Sequence, residues 1–149
     1  MAAGATRVAV TGTGCVSPAG ATAADTIDAV WAAKGTAAGP HGELAGLETD
    51  FAAACPAGVT DGLRRELCRR LDRSVQLALV AAGEALDASG LAPEQRAGAA
   101  TVVGTGIAGI ATVLAQLELD GRGERLSPYT VPMIMPNAAA AEVSLQWGL

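Results

Sequence analysis

A chain of 149 residues with 50% hydrophobic and 17% charged side chains is long and apolar enough for one ordered core, which excludes disorder as the starting assumption. Its formal charge of −5 excludes a sequence-independent nucleic-acid binder, because such a protein needs a basic face to displace counterions from phosphates. Aromatics are only 3% and glycines number 19, so the expected core is Ala, Val, Leu and Ile with backbones in close approach.

The first residues, Met1-Ala2-Ala3-Gly4-Ala5-Thr6, lack the positive start and long apolar run of a secretory leader. No later stretch approaches the roughly 18 uninterrupted apolar residues of a membrane span. The expectation is a soluble, cytoplasmic protein with no membrane partner. Cys15, Cys55 and Cys68 have no metal-ligand spacing. An odd number of cysteines without a leader points to reduced, structural thiols.

Val8-Ala9-Val10-Thr11 is a β-prone run ending in Gly12-Thr13-Gly14, which predicts a buried strand and a tight turn. Ser17-Pro18-Ala19-Gly20 continues the loop. Residues 23–34 predict a helix, with Thr22 as cap, Asp25 completing a capping box, Lys34 suited to the C-terminal dipole and Gly35 as stop. Ile27, Val30 and Trp31 fall on one face. Residues 35–59 show little periodicity and predict an irregular excursion. From Asp61 to Ser89 the spacing of Leu63, Leu67, Leu71, Val75, Leu79, Ala82 and Leu86 predicts one long helix with a buried face, ended by Gly90. Ala99-Ala100-Thr101-Val102-Val103 predicts a second strand, Gly104-Thr105-Gly106 a second turn, and residues 110–119 a helix. Residues 122–136, with Pro128, Pro132 and Pro136, predict a connection. Asn137 is placed to cap a closing helix to Trp147, stopped by Gly148.

Gly104-Thr105-Gly106-Ile107-Ala108-Gly109 fits G-x-G-x-x-G between a strand and a helix, where backbone amides can hold a pyrophosphate. The fingerprint ordinarily opens the first strand unit, with an acidic residue about 20 positions on after a second strand. Here the unit comes second and Glu124 lies in a loop, which leaves dinucleotide binding a minor alternative. Nucleophilic catalysis needs a Cys or Ser with a base in reach. The sole histidine, His41, sits in the irregular stretch and reads as a surface residue. The carboxylates suggest neither a paired acid and base nor a metal site. Arg64, Arg65, Arg69, Arg70 and Arg73 form the one basic concentration, with Arg65, Arg69 and Arg73 spaced by four. Either it receives an acidic partner or it is a solvated face balanced by Asp61, Glu66 and Asp72.

Five segments follow one another along nearly the whole chain: Arg7-Val8-Ala9-Val10-Thr11-Gly12-Thr13-Gly14 with Val16-Ser17-Pro18 and Gly20, then Trp31 to Gly35, then Leu71-Asp72-Arg73-Ser74 with Gln76 to Ala78 and Ala81 to Leu86, then Val103 to Gly109, and finally Ser127-Pro128-Tyr129-Thr130-Val131-Pro132-Met133-Ile134-Met135-Pro136-Asn137. In this order they resemble the elongating β-ketoacyl-acyl-carrier-protein synthases of fatty-acid and type II polyketide synthesis, in the thiolase-like superfamily. Leu71 stands where the family's M-D-R-x-x-Q helix has Met. Ala108 replaces a glycine of its G-T-G-I-G-G turn.

The resemblance implies an α/β thiolase-like fold of layered helices and mixed sheet, here as residues 1–149 of an N-terminal domain. It turns the second glycine turn into a pocket wall, with Ile107 as acyl-pocket gate. It places Thr130, Met133 and Ile134 at the same pocket across a dimer interface. Apolar side chains suit an acyl chain, each buried methylene being worth about 0.8 kcal/mol. It assigns Arg69, Arg70 and Arg125 to docking of an acidic acyl carrier protein. It implies no cofactor or metal, and a homodimer or a ketosynthase partner subunit. In the family the nucleophilic cysteine follows the position of Leu149, with two histidines and a lysine later. Acyl transfer to that cysteine, decarboxylation of the malonyl carrier and Claisen condensation are therefore expected to be beyond this chain alone. The alternative within the same resemblance is a non-catalytic, chain-length-determining partner subunit.

Overall fold

The computed structural model describes residues 7–36 and 40–149. The leader reading of residues 1–6 and residues 37–39 of the irregular excursion lie outside the described residues. In chain order the helices are α1 (Ala23–Trp31), α2 (Arg65–Cys68), α3 (Arg73–Ser89), α4 (Pro93–Arg96), α5 (Ile110–Gly121), α6 (Thr130–Ile134) and α7 (Ala138–Trp147), with a 3-10 turn at Gly42–Leu44. No helix among the described residues is long and apolar enough to cross a membrane.

The core forms where α2 and α3 meet α7. Leu67, Leu71, Val75, Leu79 and Val143 are buried together, with Ala82, Ala138, Ala139 and Trp147 packed around them. Leu79 is only 1% exposed. Val75, Leu79 and Ala82 recur at the helical spacing that turns one stripe inward. Gly83 lets α7 close on α3, since a Cβ there would sit 3.1 Å from the Trp147 ring.

The long helix expected over 61–89 is two helices. Asp72 is extended at φ −61°, ψ 153°, and its carboxylate accepts from the Ser74 amide at 2.9 Å, an N-cap that restarts the helix. The Leu67 to Leu71 spacing continues across the break because both side chains enter the same core. The Gln76 amide donates to the Cys68 and Leu71 carbonyls at 3.2 and 2.9 Å, satisfying acceptors that the break would otherwise strand. Gly90 ends α3 at φ +64° and Gly148 follows α7 at φ +67°, the left-handed stops expected of both.

The first helix starts as expected and ends differently. The Thr22 hydroxyl oxygen accepts from the Asp25 amide at 3.1 Å, but Asp25 binds the Thr22 hydroxyl at 2.7 Å rather than a backbone N–H. The C-terminus is closed by Ala33 at φ +50°, with the Lys34 amide donating to Ala29 O at 3.0 Å, so Lys34 and Gly35 lie past the helix. Its Ile27, Val30 and Trp31 face is exposed. At α7, Asn137 holds the cap position without a side-chain hydrogen bond.

Neither expected strand pairs. Among the described residues the bridges are isolated, Ser17 with Gly20 and Pro40 with Phe51. Val8 is 89% and Val102 90% exposed. A strand persists only when a neighbour takes its amides and carbonyls and covers its apolar side chains, and no described segment does this. The turn after the first segment is nevertheless fixed. A Cβ at Gly12 or Gly14 would collide with the carbonyls of Ala85 and Ala81 on α3, so these glycines serve close packing. From the same helix Glu84 accepts the Cys15 amide on Oε2 and the Ala23 amide on Oε1, each at 2.9 Å. One carboxylate thus ties the turn and the start of α1 to α3.

Candidate functional site

The site is built outward from Asp72. This residue is 4% exposed, and beyond its capping bonds it accepts the Thr112 hydroxyl at 2.7 Å and amide at 3.3 Å, joining the start of α3 to the first turn of α5. Burial works to raise its pKa, but the hydroxyls and amides of Thr112 and Ser74 outweigh burial and hold the carboxyl below its ordinary value.

One turn further along α5, Gln116 Oε1 accepts the Ser127 amide at 2.7 Å and the Thr130 hydroxyl at 3.0 Å. At the head of α5 the left-handed Gly109, φ +60°, meets the same incoming segment. A Cβ there would lie 2.6 Å from the Met133 carbonyl and 2.7 Å from Ile134 Cα. The second glycine turn and the S-P-x-x-V-P segment are therefore in backbone contact. Between α5 and residues 126–134 opens a cavity of about 250 Å³, lined by Val113, Gln116, Leu117, Asp120, Leu126, Thr130 and Ile134. Its wall is chiefly aliphatic, suited to a flexible apolar chain.

Beside it lies an open cavity of about 310 Å³ where Arg70 and Glu142 face an apolar lining that includes Leu71, Tyr129, Pro132 and Met135. It sets the α2–α3 junction next to the S-P-x-x-V-P segment.

Of the expected acyl-pocket residues, Thr130 and Ile134 line the 250 Å³ cavity. Met133 contributes its backbone carbonyl to the Gly109 contact. Ile107 does not join them and is 72% exposed. Arg69, Arg70 and Arg125 are all exposed; among the described residues the ion pair present is Arg122 with Glu124 at 3.0 Å. The expected row of Arg65, Arg69 and Arg73 is broken at Asp72, and Arg73 turns to donate to the Thr60 hydroxyl at 2.5 Å. The dinucleotide reading fails on geometry. Gly109, whose backbone would face a pyrophosphate, is buried against Met133 and Ile134, and no strand feeds its turn among the described residues. The sequence reading missed Thr112, Gln116 and Glu84. The available signal for Asp72 was local, an Asp two residues before a Ser at the head of an apolar run.

The family model for the β-ketoacyl synthase N-terminal domain matches residues 5–149. The chain belongs to the β-ketoacyl synthase family. The 3-oxoacyl-[acyl-carrier-protein] synthase 2 of Staphylococcus aureus (strain COL) is 32% identical over 154 residues, covering 95% of this chain and 36% of the relative. Its counterpart from Vibrio harveyi is 31% identical over 153 residues, covering 96% and 36%. A crystal structure of a β-ketoacyl synthase from Burkholderia phymatum STM815 matches with a TM-score of 0.70 at 24% identity, over 94% of this chain and 36% of that one. A type II polyketide ketosynthase in complex with its acyl-carrier protein and bound to the hexaketide matches with a TM-score of 0.60, also at 24% identity, over 93% and 39%.

The chain thus spans 36% of the length of these curated relatives, and its fold is that of part of a β-ketoacyl synthase. The thiolase-like class expected from sequence is the one these neighbours share, with its helices formed here and its strand segments unpaired. In this β-ketoacyl synthase chain the Gly109 contact presses the glycine turn against Met133 and Ile134 of the 127–137 segment, the stretch that carried the resemblance most specifically.

Proposed function

We propose that the chain supplies the acyl-pocket wall and the carrier-protein docking face of a 3-oxoacyl-acyl-carrier-protein synthase, and that by itself it does not catalyse condensation. The observation that carries this is the contact of Gly109 with Met133 and Ile134, which joins the glycine turn to the segment whose Ile134 lines the aliphatic cavity. Thr130 and Ile134 face the acyl chain there. Arg69, Arg70 and Arg125 supply positive charge to an acidic partner from an otherwise acidic chain. Condensation requires a thiolate nucleophile and donors for the developing oxyanion. Cys15, Cys55 and Cys68 do not line the 250 Å³ cavity, and each is free and only partly buried.

The test uses the protein expressed from its own gene, with acyl carrier protein as ligand. Reversing charge in R69E, R70E and R125E together is expected to weaken carrier binding at least about tenfold and to flatten its salt dependence, since rim charges act through screened attraction. Unchanged affinity and salt slope would remove the docking assignment. For the 149-residue chain, acyl- and malonyl-carrier protein together should yield no 3-oxoacyl product by mass spectrometry. Product formation would refute the division of labour.

A further inference from the structure

We infer that Gln116 fixes the shape of the α5 cavity and thereby sets its acyl-length selectivity; this rests on the reading of that cavity as the acyl site. Residues 127–134 meet α5 at two points. One is the Gly109 contact with Met133 and Ile134, where shape alone holds the chain. The other is Gln116, seven residues along, about 10 Å of helix rise. There a single carbonyl oxygen accepts both the Ser127 amide and the Thr130 hydroxyl. The Ser127 amide can only donate, so the side-chain oxygen and not the nitrogen must face it. The Thr130 hydroxyl shares its one proton between Gln116 Oε1 at 3.0 Å and the Ser127 carbonyl at 2.7 Å, and the Ser127 hydroxyl accepts the Tyr129 amide at 3.2 Å. Gln116 therefore grips a turn that is already closed on itself.

The position of this grip matters because Val113 and Leu117 form the cavity's helical wall, while Thr130 and Ile134 form the facing one. Dispersion contacts between the two walls are non-directional, so they do not select one register of the segment over a slide along the helix. The Gln116 hydrogen bonds are directional and do select one. Gln116 lines the cavity itself, so the group that sets the spacing also borders the space. Asp72 anchors the other turn of the same helix through Thr112, which holds α5 still against α3 while Gln116 holds the segment against α5.

The test compares wild type with Q116L, which keeps the bulk and loses the acceptor, and Q116E, which keeps an acceptor oxygen. The protein is expressed from its own gene, and two quantities are read: hydrogen exchange of the Ser127 amide by NMR, and the ratio of affinities for octanoyl- and palmitoyl-pantetheine. In Q116L, Ser127 exchange is expected to rise about tenfold, the scale of one lost hydrogen bond, and the affinity ratio to move toward one. Q116E is expected to restore both. Wild-type exchange at Ser127 in Q116L overturns the inference while leaving the acyl reading intact. Faster exchange with an unmoved ratio overturns the selectivity role. If neither thioester binds wild type although Ser127 responds to Q116L, the acyl reading of the cavity fails and the selectivity falls with it.

Discussion

Replacing Asp72 by Ala tests the central joint of the structure. The substitution removes the α3 cap, worth about 1 kcal/mol, and a charge-assisted bond to the Thr112 hydroxyl, for which about 1.5–3 kcal/mol is typical. Together these predict a loss of about 3 kcal/mol, in a site only 4% exposed. The pH dependence has a definite sign. The carboxyl is held below its ordinary value of 3.8, so its stabilisation is complete above that value and is lost as pH falls through the lower, folded-state value. D72N keeps much of the shape but not the charge. Urea unfolding followed by circular dichroism on wild type, D72A and D72N should give a wild-type advantage over D72N at neutral pH that shrinks below about pH 4. A D72A loss under about 0.5 kcal/mol, or a gap over D72N that stays constant into strong acid, would refute the joint as described.

Two further changes probe the frame. Ala33 at φ +50° occupies a conformation that costs a non-glycine residue about 1–2 kcal/mol, so A33G should stabilise the chain by about 0.5–1 kcal/mol once the greater freedom of unfolded glycine is counted; a lower melting temperature would contradict it. G14A places a methyl against the Ala81 carbonyl and should cost at least about 2 kcal/mol, with the Cys15 amide exchanging faster as the Glu84 bond loosens; unchanged stability would mean that the turn has room to move.

What was legible in the sequence was local. Helices α3 and α5 were marked by apolar residues at helical spacing and α7 by its flanking Asn137 and Gly148, and Gly90 and Gly148 stop two of them as their types demand. The break at Asp72 was hidden because Leu67, Leu71 and Val75 keep the same spacing across it; a periodicity that serves one core cannot reveal that two helices supply it. The strand segments at 8–11 and 99–103 were visible as β-prone runs, but pairing is a property of two segments, and no described neighbour pairs with either. At the site, the S-P-x-x-V-P segment and the glycine turn were found through resemblance, whereas Gln116 was not. Nothing in the pattern of α5 tells which distant amide a glutamine will reach. The exposure of Ile107 was equally hidden: its motif fixes the turn through Gly109, and the exposure of a neighbouring side chain is decided by what else packs there.

The Glu84 carboxylate has a consequence for how this chain tolerates change. Its two partners, at Cys15 and Ala23, are main-chain amides, which every residue except proline presents alike. Positions 15 and 23 are therefore open to almost any side chain as far as this contact is concerned, while position 84 accepts only a residue that can deliver two acceptor oxygens over the same reach. The constraint is borne by one partner alone, and pairwise exchange of side chains between these positions would leave no trace of a tie that spans 69 residues.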